Sequence, residues 1–447
     1  MKPMSSKKSQ FSRTLQRTLF SLMSLVLCLF LFGTSANALN DGQQLVLESW
    51  SLVNQGYINP EKFNEVQWRK LRQKALESPI SNSEDAYAAI EKMLLPLGDP
   101  YTRLLRPNDY AAMKAGNIGS EINGVGLQLG ARQNDGQIVV IAPLEGSPAA
   151  EAGVISGTIV VKVNGESPRL LGLEATAAKL RGEIGSQVVV EVQPPNAEIE
   201  ELTLERRSVD LRPVRTKRLR NETHTLGYLR ITQFSEGVPQ QVEEALQELS
   251  EKDVEGIVLD LRNNSGGLVS SGLAVADAFL SNAPIVETRN REGLKDEIRS
   301  GKETLFNGPM VTLVNGGTAS ASEILAGALQ DNDRSLLIGS KTFGKGLIQS
   351  LSTLTDGSGL AVTVAGYQTP SGRYIQNLGI EPDRILDEPE PLNPGGAEDR
   401  WLNDAESILG ANLDLQSLEN TSKELIRNEE YSDEKINQID PLQNSEA

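Results

Sequence analysis

The sequence has one cysteine, Cys28, and one histidine, His224, in 447 residues. A cysteine–histidine zinc site and a disulfide are both excluded, because each needs more of these residues than the chain contains. A Ser–His–Asp triad would have to use His224, which precedes a predicted strand at 226–231 and is better explained as a polar turn residue. Hydrolytic chemistry in this chain therefore has to use carboxylates, lysines or hydroxyls.

Aromatic residues are also few, at 4% of the chain, and basic residues are outnumbered, with 43 Lys and Arg against 60 Asp and Glu. The resulting net charge of −17 argues against a general nucleic-acid binder, because the phosphate backbone would repel the protein. The 38% hydrophobic content is typical of a folded chain with aliphatic cores. The length is enough for about three domains.

The N-terminus has the pattern of a secretory signal peptide over residues 1–38. A basic segment without acidic residues precedes an apolar run at 19–32, and Ala36-Asn37-Ala38 forms a cleavage site of small residues. The run is short for a transmembrane helix, although an uncleaved anchor is the alternative. Cleavage after Ala38 would leave a chain without cysteine, which suits an exported protein in an oxidising compartment.

The remainder divides into four parts by its periodicity. Residues 39–117 have apolar positions at helical spacing, and 118–207 contain short β runs separated by glycines. Residues 208–387 alternate strand and helix, which predicts a largely parallel sheet. Residues 388–447 form an acidic tail in which 401–409 is predicted to be a helix and the rest is expected to be solvated or disordered. The predicted fold class is α+β and multidomain, with a helical N-terminal segment, a β-rich domain and an α/β core.

Three predicted strands of the α/β core each lead into a glycine-rich loop. The loops are R-N-N-S-G-G at 262–267, N-G-G-T-A-S-A-S-E at 315–323 and G-S-K-T-F-G-K-G at 339–346. If the strands are parallel, all three loops emerge at the same edge of the sheet, where open α/β sheets place their sites. The sequence therefore predicts an active site at this edge.

Ser320 and Lys345 are the candidate catalytic pair at this edge. Ser320 begins a predicted helix, where free backbone N–H groups and the helix dipole favour a developing anion. Apolar neighbours would lower the pKa of Lys345 and let it act as a base without any histidine. Backbone N–H groups of Gly266 and Ala321 are candidate oxyanion donors. Alternatively, Ser320 and Ser322 are helix N-caps and Lys345 is a surface lysine in a glycine turn.

The segment 339–345 also matches the G-x-x-x-x-G-K pattern of a phosphate loop. However, Gly346 stands where a serine or threonine would hold magnesium, and 347–351 is predicted to be a strand. The helix N-terminus that would bind phosphate is therefore missing. We expect no nucleotide, and the Ser–Lys chemistry requires no metal or other cofactor.

Four motifs, taken together and in order, resemble the C-terminal processing proteases, also called tail-specific serine endopeptidases. They are D-L-R-N-N-S-G-G at 260–267, T-A-S-A-S-E-I at 318–324, T-F-G-K-G-x-x-Q at 342–349 and Y-x-T-P-S-G-R at 367–373. The resemblance covers about residues 39–383. It implies an exported serine endopeptidase that recognises the free C-terminus of a protein substrate and removes a C-terminal peptide.

The resemblance also implies roles for individual residues in the core. Ser320, rather than Ser322, would be the nucleophile, and Lys345 would be the general base. Gln349 would orient the lysine. Asp331 aligns with an acidic residue that is either involved near the site or a structural contact.

Two backbone sites follow from the same resemblance. Gly266 and Ala321 would supply the oxyanion donors. The β-rich domain resembles the family's PDZ domain, in which a glycine loop holds a free carboxylate and the peptide is added as a β-strand. The matching loop residues are Gly124, Val125, Gly126 and Leu127. An ordinary hairpin loop is the alternative, and Thr158 replaces an aspartate that usually follows the glycine in G-D-x-I.

The N-terminal segment, with Trp50, Tyr57 and Trp68, is more similar to the cyanobacterial and plastid branch of the family. That branch removes the C-terminal extension of a photosystem II reaction-centre precursor on the lumenal side of the thylakoid. The expected location is the periplasm or thylakoid lumen, and peripheral association with a membrane-embedded substrate is possible. Two alternatives stay open: a broad periplasmic tail-specific protease, and a non-catalytic PDZ adaptor that binds peptides.

Overall fold

The structure is a computed structural model that describes residues 39–118, 122–132, 135–209, 212–220, 223–293, 295–301, 303–387 and 389–438. The predicted signal peptide, residues 1–38, lies outside the described residues. Within the described ranges, no helix combines the length and the apolar character needed to cross a membrane.

Residues 39–118 form a mainly helical segment, as the apolar periodicity predicts. Its helices are α1 (Asp41–Gly56), α2 (Lys62–Glu65), α3 (Trp68–Glu77), α4 (Ser83–Leu94) and α5 (Pro107–Ile118), with a 3₁₀ turn at Leu95–Leu97. The Asn40 side chain accepts the backbone N–H of Gln43 and caps α1. The rings of Trp50, Phe63 and Trp68 stack in the core of this segment.

One part of the N-terminal segment is a strand, which helical periodicity does not predict. Strand β1 (Arg103–Leu105) pairs antiparallel with β17 (Gly359–Gln368) of the core. Next to it, the hydroxyl of Thr102 accepts the backbone N–H of Thr363 at 3.0 Å. The N-terminal segment is therefore joined to the core by backbone hydrogen bonds as well as by packing.

Residues 122–209 form a β-rich unit, called here the middle module. Its strands are β2 (Ile122–Gly124), β3 (Leu127–Ala131), β4 (Ile138–Pro143), β5 (Ile159–Val163), β6 (Gln187–Gln193), β7 (Glu200–Glu205) and β8 (Arg207–Val209). Strands β3 to β7 form an antiparallel sheet in chain order, and β2 pairs with β8. The short helices are α6 (Pro148–Glu151), α7 (Pro168–Leu171) and α8 (Leu173–Leu180). Its core is aliphatic, with Val140, Val160 and Val190 buried at its centre.

The core of the protein is built on a six-stranded sheet. Its strands are β9 (Val214–Arg220), β10 (Thr225–Ile231), β11 (Gly256–Asp260), β14 (Met310–Val314), β15 (Leu336–Gly339) and β18 (Arg384–Ile385). Their order is β18-β15-β14-β11-β10-β9, and every neighbouring pair is parallel except β9 and β10. The prediction of a largely parallel sheet is confirmed.

Helices cover both faces of this sheet, which explains why its strands are nearly continuously apolar. On one face lie α9 (Val238–Ser250), α10 (Val269–Asp277) and α11 (Ala321–Asp331). A second sheet, in which β17 pairs with β1, β12 (Pro284–Asn290) and β16 (Leu347–Thr353), packs beside them, and β13 (Lys295–Arg299) pairs with β12.

The opposite face is covered by α12 (Arg400–Gln438), a much longer helix than the one predicted at 401–409. Trp401, Leu402 and Leu409 are buried against the strands, so the start of this helix is part of the core. After residue 409 the chain continues as a helix whose side chains at 411–419 are mostly exposed, so this part is solvated, as expected, but helical rather than disordered. Acidic composition identified a polar surface but not the helix beneath it.

Candidate active site

The three glycine-rich loops meet at one edge of the six-stranded sheet. Strands β11, β14 and β15 are adjacent and parallel, so the loops that follow them emerge side by side. The backbone N–H of Asn263 donates to Asn315 Oδ1 at 2.8 Å, and that of Phe343 donates to the Thr318 carbonyl at 3.0 Å. The predicted convergence of the loops is confirmed.

Ser320 occupies a strained backbone conformation at the start of α11. Its φ of 56° and ψ of −118° lie in a region of backbone conformation that residues other than glycine rarely adopt, and the residue is 7% exposed. A Cβ atom at Gly266 would lie 2.8 Å from Ser320 Cβ, so only glycine fits opposite the serine. The sharp strand-to-helix turn resembles the elbow that presents a nucleophilic serine in other hydrolases.

Ser322 is held in a structural contact, in contrast to Ser320. Its hydroxyl donates to the carbonyl of Asn264 at 2.9 Å, and the residue is fully buried. The same carbonyl accepts the backbone N–H of Ala319 at 3.0 Å. This serine fastens α11 to the loop after β11.

Lys345 is half-buried, and burial lowers its pKa to about 8. That value is the net result: the positive charge of Arg103 adds to the lowering of the pKa by burial, while Glu323 and Asp99 oppose it. The ammonium nitrogen lies 5.0 Å from the centre of the Tyr101 ring. Among the described residues, no hydrogen bond joins Lys345 Nζ to the hydroxyl of Ser320, so the predicted pair is not closed in this conformation.

Glu323 connects the backbones of both candidate catalytic residues. Its buried carboxylate accepts the N–H groups of Ser320 at 2.9 Å and Lys345 at 2.8 Å on one oxygen. The other oxygen accepts the Thr342 hydroxyl at 2.6 Å and the Gly344 N–H at 2.8 Å. Burial raises the pKa of Glu323, and the four donors oppose that shift. The S-x-x-E spacing of a capping box is a sequence signal for this residue.

Tyr367 links the same two residues from the other side. Its hydroxyl donates to the Ser320 carbonyl at 2.9 Å and also lies against the Lys345 carbonyl. In the same motif, Arg373 pairs with Asp331, whose carboxylate also accepts the Ser371 N–H at 2.8 Å. Asp331 thus fastens the turn after β17 to the end of α11, which is a structural contact.

Gln349 and the two candidate oxyanion donors have different environments. Gln349 lies on β16 opposite Thr363, and its buried amide nitrogen has no hydrogen-bond partner among the described residues. The Gly266 N–H donates to Asn264 Oδ1 at 2.9 Å. In contrast, the Ala321 N–H has no acceptor within the described part of the chain. To act as an oxyanion donor, the Gly266 N–H would have to share its hydrogen bond between Asn264 Oδ1 and the oxyanion, or exchange one acceptor for the other.

A buried network of charges fixes the start of the first loop. Arg262, fully buried, pairs with Asp260 and Asp399 at 2.6 Å each. Burial raises the pKa of Asp260, but Arg262 and Arg230 outweigh it and lower that pKa to about 2. Tyr228 donates to the same carboxylate at 2.7 Å. Because Asp399 immediately precedes α12, the network also ties this helix to the loop.

The glycine loop of the middle module lies between β2 and β3. Gly126 has a φ of 76°, and a Cβ there would lie 2.1 Å from Ser147 Cβ, so the chain can turn here only with glycine. The carbonyl of Val125 accepts the Ala149 N–H at 3.0 Å, and that of Gly126 accepts the Leu144 N–H at 2.8 Å. Gly124 pairs with β8, and Leu127 begins β3.

The middle module also contacts the loops of the core. A Cβ at Gly130 of β3 would lie 3.0 Å from Phe343 Cζ. A Cβ at Gly317 would lie 3.1 Å from the Ile141 carbonyl of β4. The module is therefore packed against two of the three glycine-rich loops. His224 lies elsewhere, between Glu255 and Asp414, as expected for a residue outside the site.

Family models match two parts of the chain: peptidase family S41 over residues 225–386 and the PDZ domain over residues 139–194. A carboxyl-terminal-processing protease of Synechocystis is 44% identical over 372 residues, which cover 83% of this chain and 87% of the relative. A chloroplastic C-terminal processing peptidase of Tetradesmus obliquus is 40% identical and covers 80% of each chain. The solved structure of a photosystem II D1 C-terminal processing protease is 38% identical, with a TM-score of 0.70, and the match covers 79% of this chain and 95% of that one.

Proposed function

The chain belongs to peptidase family S41 as a carboxyl-terminal-processing serine protease, and from this premise we propose that Ser320 is its nucleophile and Lys345 its general base. The observation that carries this proposal is the strained turn at Ser320, whose N–H shares one carboxylate oxygen with the N–H of Lys345. A lysine whose pKa is about 8 is a usable base near neutral pH.

In the proposed reaction, the neutral amine of Lys345 takes the proton from Ser320 Oγ as that oxygen attacks a peptide carbonyl carbon. The free N–H of Ala321, at the positive end of α11, supports the developing oxyanion, together with Gly266. The intermediate collapses to an acyl-enzyme, and the Lys345 ammonium gives its proton to the departing amine. Lys345 then takes a proton from a water that attacks the acyl carbon, and it returns this proton to Ser320 Oγ as the bond between the acyl carbon and that oxygen breaks.

The pair has to close before this reaction can begin. The Lys345 ammonium lies over Tyr101 and must turn towards Ser320 Oγ. Catalytic hydrogen bonds are often open in free enzymes and tighten when substrate binds. The buried side-chain amide nitrogen of Gln349 has no hydrogen-bond partner among the described residues. The Gln349 side chain is therefore available to contact the lysine after this movement.

We further propose that the middle module holds the free C-terminus of the substrate. The loop from Gly124 to Leu127 has the glycines that a carboxylate-binding loop requires, and a peptide could add to the module as a strand. The name of the 38% identical solved structure, a photosystem II D1 C-terminal processing protease, favours the precursor of the D1 subunit as substrate. The chloroplastic and cyanobacterial relatives suit a location in the thylakoid lumen or periplasm, where the enzyme would act from the membrane surface on a membrane-embedded substrate.

The test is cleavage, by the protein without residues 1–38, of two peptides with the sequence of a D1 precursor C-terminus. One peptide ends in a free carboxylate and the other in an amide. Ser320→Ala is the inactive variant and Ser322→Ala the matched control. We expect cleavage of the free-acid peptide, loss of activity in Ser320→Ala, and activity in Ser322→Ala wherever that variant folds.

The other outcomes separate the alternatives. Equal cleavage of both peptides would show that the protein is a protease but that it does not select substrates by their free C-terminal carboxylate. Cleavage of unrelated free-acid peptides at equal rates would favour a broad tail-specific protease. Carboxylate-dependent binding without cleavage would favour a peptide-binding adaptor.

A further inference from the structure

Tyr101 forms the surface on which the Lys345 side chain rests. The ammonium nitrogen lies 5.0 Å from the ring centre, and the ring is only 4% exposed. A cation above an aromatic face is attracted by the negative charge density of that face, and the attraction increases when water is excluded. The neutral amine has no positive charge and loses most of this attraction.

The Tyr101 ring is fixed from two directions. Its backbone N–H donates to Asp99 Oδ1 at 2.9 Å, within a turn that the Thr102 hydroxyl also stabilises by donating to Asp99 Oδ2 at 2.7 Å. Its hydroxyl donates to the carbonyl of Ala131, at the end of β3, at 3.3 Å. The ring is therefore held in place by the N-terminal segment and by the middle module together.

Other charged and titratable groups also face the lysine. Arg103 of β1 disfavours the ammonium form, and Glu323 of α11 and Asp99 favour it. Glu323 is committed to four backbone and hydroxyl donors, as described above. Tyr367 contacts the Lys345 carbonyl rather than its amine. Tyr101 is thus the aromatic group over which the ammonium lies.

We propose that Tyr101 is a positioning residue that holds the protonated Lys345 side chain away from Ser320 and releases it when the amine becomes neutral. Protonation and position are then coupled, because the charged form rests on the ring and the neutral form is free to turn to the serine. This inference depends on the proposed role of Lys345 as general base. It assigns Tyr101 no contact with the reacting atoms.

The test compares the acid limb of the pH dependence of kcat/KM in variants at position 101. This limb reports deprotonation of the base in the free enzyme. Tyr101→Phe keeps the aromatic face, Tyr101→Leu removes it, and 3,4,5-trifluorophenylalanine at position 101 keeps the shape but withdraws charge from the ring. We expect the limb to move to lower pH by about one unit with leucine and with the fluorinated ring, and to stay in place with phenylalanine.

A second measurement needs no catalysis. In a Ser320→Ala background, the NMR signal of the Lys345 side-chain nitrogen, assigned by its loss in Lys345→Arg, is titrated in the same three variants. We expect the titration midpoint of Lys345 to be lower in the leucine and fluorinated variants than in the phenylalanine variant. If the leucine variant folds poorly, the fluorinated variant still provides the test. The proposal would be overturned if fluorination of the ring left the midpoint of the Lys345 titration unchanged. It would also be overturned if Tyr101→Phe and Tyr101→Leu shifted this midpoint equally, because the effect would then come from the hydroxyl.

The two measurements separate this inference from the proposed function. If the wild-type protein cleaves no peptide, or Lys345→Ala retains full activity, the proposed function fails, while the NMR titration still measures the ring's effect on the amine. Suppose instead that cleavage depends on Lys345, but that neither the acid limb of kcat/KM nor the midpoint of the NMR titration changes with the ring at position 101. In that case the proposed function stands and only the role of Tyr101 is contradicted.

Discussion

The Glu323 carboxylate accepts the backbone N–H of Ser320 at 2.9 Å. The same oxygen accepts the N–H of Lys345, so one buried acid fixes the distance between two loop residues that are 25 positions apart in the chain. Its four partners are all donors, an arrangement that suits a carboxylate, which only accepts. Other side chains would leave part of this arrangement unsatisfied.

Glu323→Gln should therefore lower both activity and stability. The glutamine NH₂ group would face two of the donors, and leaving buried donors unpaired should lower the free energy of unfolding by about 2–4 kcal/mol. A displaced Ser320 should reduce kcat/KM by about 100-fold. Urea unfolding and peptide cleavage measure the two effects. Glu243→Gln, an exposed glutamate on α9, is the control, and equal behaviour of both variants would contradict the prediction.

Sequence patterns predicted the parts of the site that depend on local spacing. The apolar runs before each glycine-rich loop indicated the parallel strands, and the motif order indicated Ser320 and Lys345. Tyr101 was not predicted, because its role depends on packing between segments 244 positions apart. Helix α12 was predicted only in part, because the burial of Trp401 and Leu409 depends on the sheet they cover.

Peptidase activity should increase with pH through a limb near the pKa of Lys345, at about 8. Below that pH the amine is protonated and cannot take the serine proton, so kcat/KM falls about tenfold per pH unit. Lys345→Ala and Lys345→Arg should abolish turnover while the protein remains folded. The pH profile of kcat/KM with a free-acid peptide measures the limb. A limb near pH 6, with activity retained in Lys345→Ala, would rule out the lysine as base.

Lys345→Met should be more stable than the wild-type protein near neutral pH. Burial disfavours the charged amine and lowers its pKa from 10.5 to about 8, so the unfolded chain binds more protons between these values and stability rises with pH there. Removing the charge should raise the free energy of unfolding by about 1–3 kcal/mol near pH 7. The gain should disappear as pH approaches 10.5. Urea unfolding at several pH values measures it, and a gain that does not depend on pH would indicate a packing effect instead.

Asp399→Asn should be strongly destabilising, because it removes one of the two carboxylates that neutralise the buried Arg262. Breaking a buried ion pair on one side costs about 3–5 kcal/mol. Because Asp399 also accepts the N–H of Leu402 at 3.1 Å, the start of α12 should loosen. Thermal or urea unfolding measures the loss. Asp404→Asn, an exposed site on the same helix, is the control and should change stability by less than about 0.5 kcal/mol.

His224 should make the attachment of α12 dependent on pH. Its ring nitrogens lie 2.9 Å from Glu255 and 3.0 Å from Asp414, and the hydrogen bond to Glu255, followed by that to Asp414, raises its pKa above 6.5. A raised pKa in the folded protein means that the contribution of this group to stability is fully present below 6.5 and is lost as pH rises through the higher, folded value.

The difference in Tm between wild type and His224→Gln should therefore be largest in acid and should shrink as the histidine becomes neutral. Asp414→Asn should show the same trend with a smaller amplitude, since Glu255 would still face the ring. A difference that stays constant across this pH range would mean that the ring contributes by packing alone. In that case, α12 would be held by its apolar contacts, such as those of Trp401, rather than by charge.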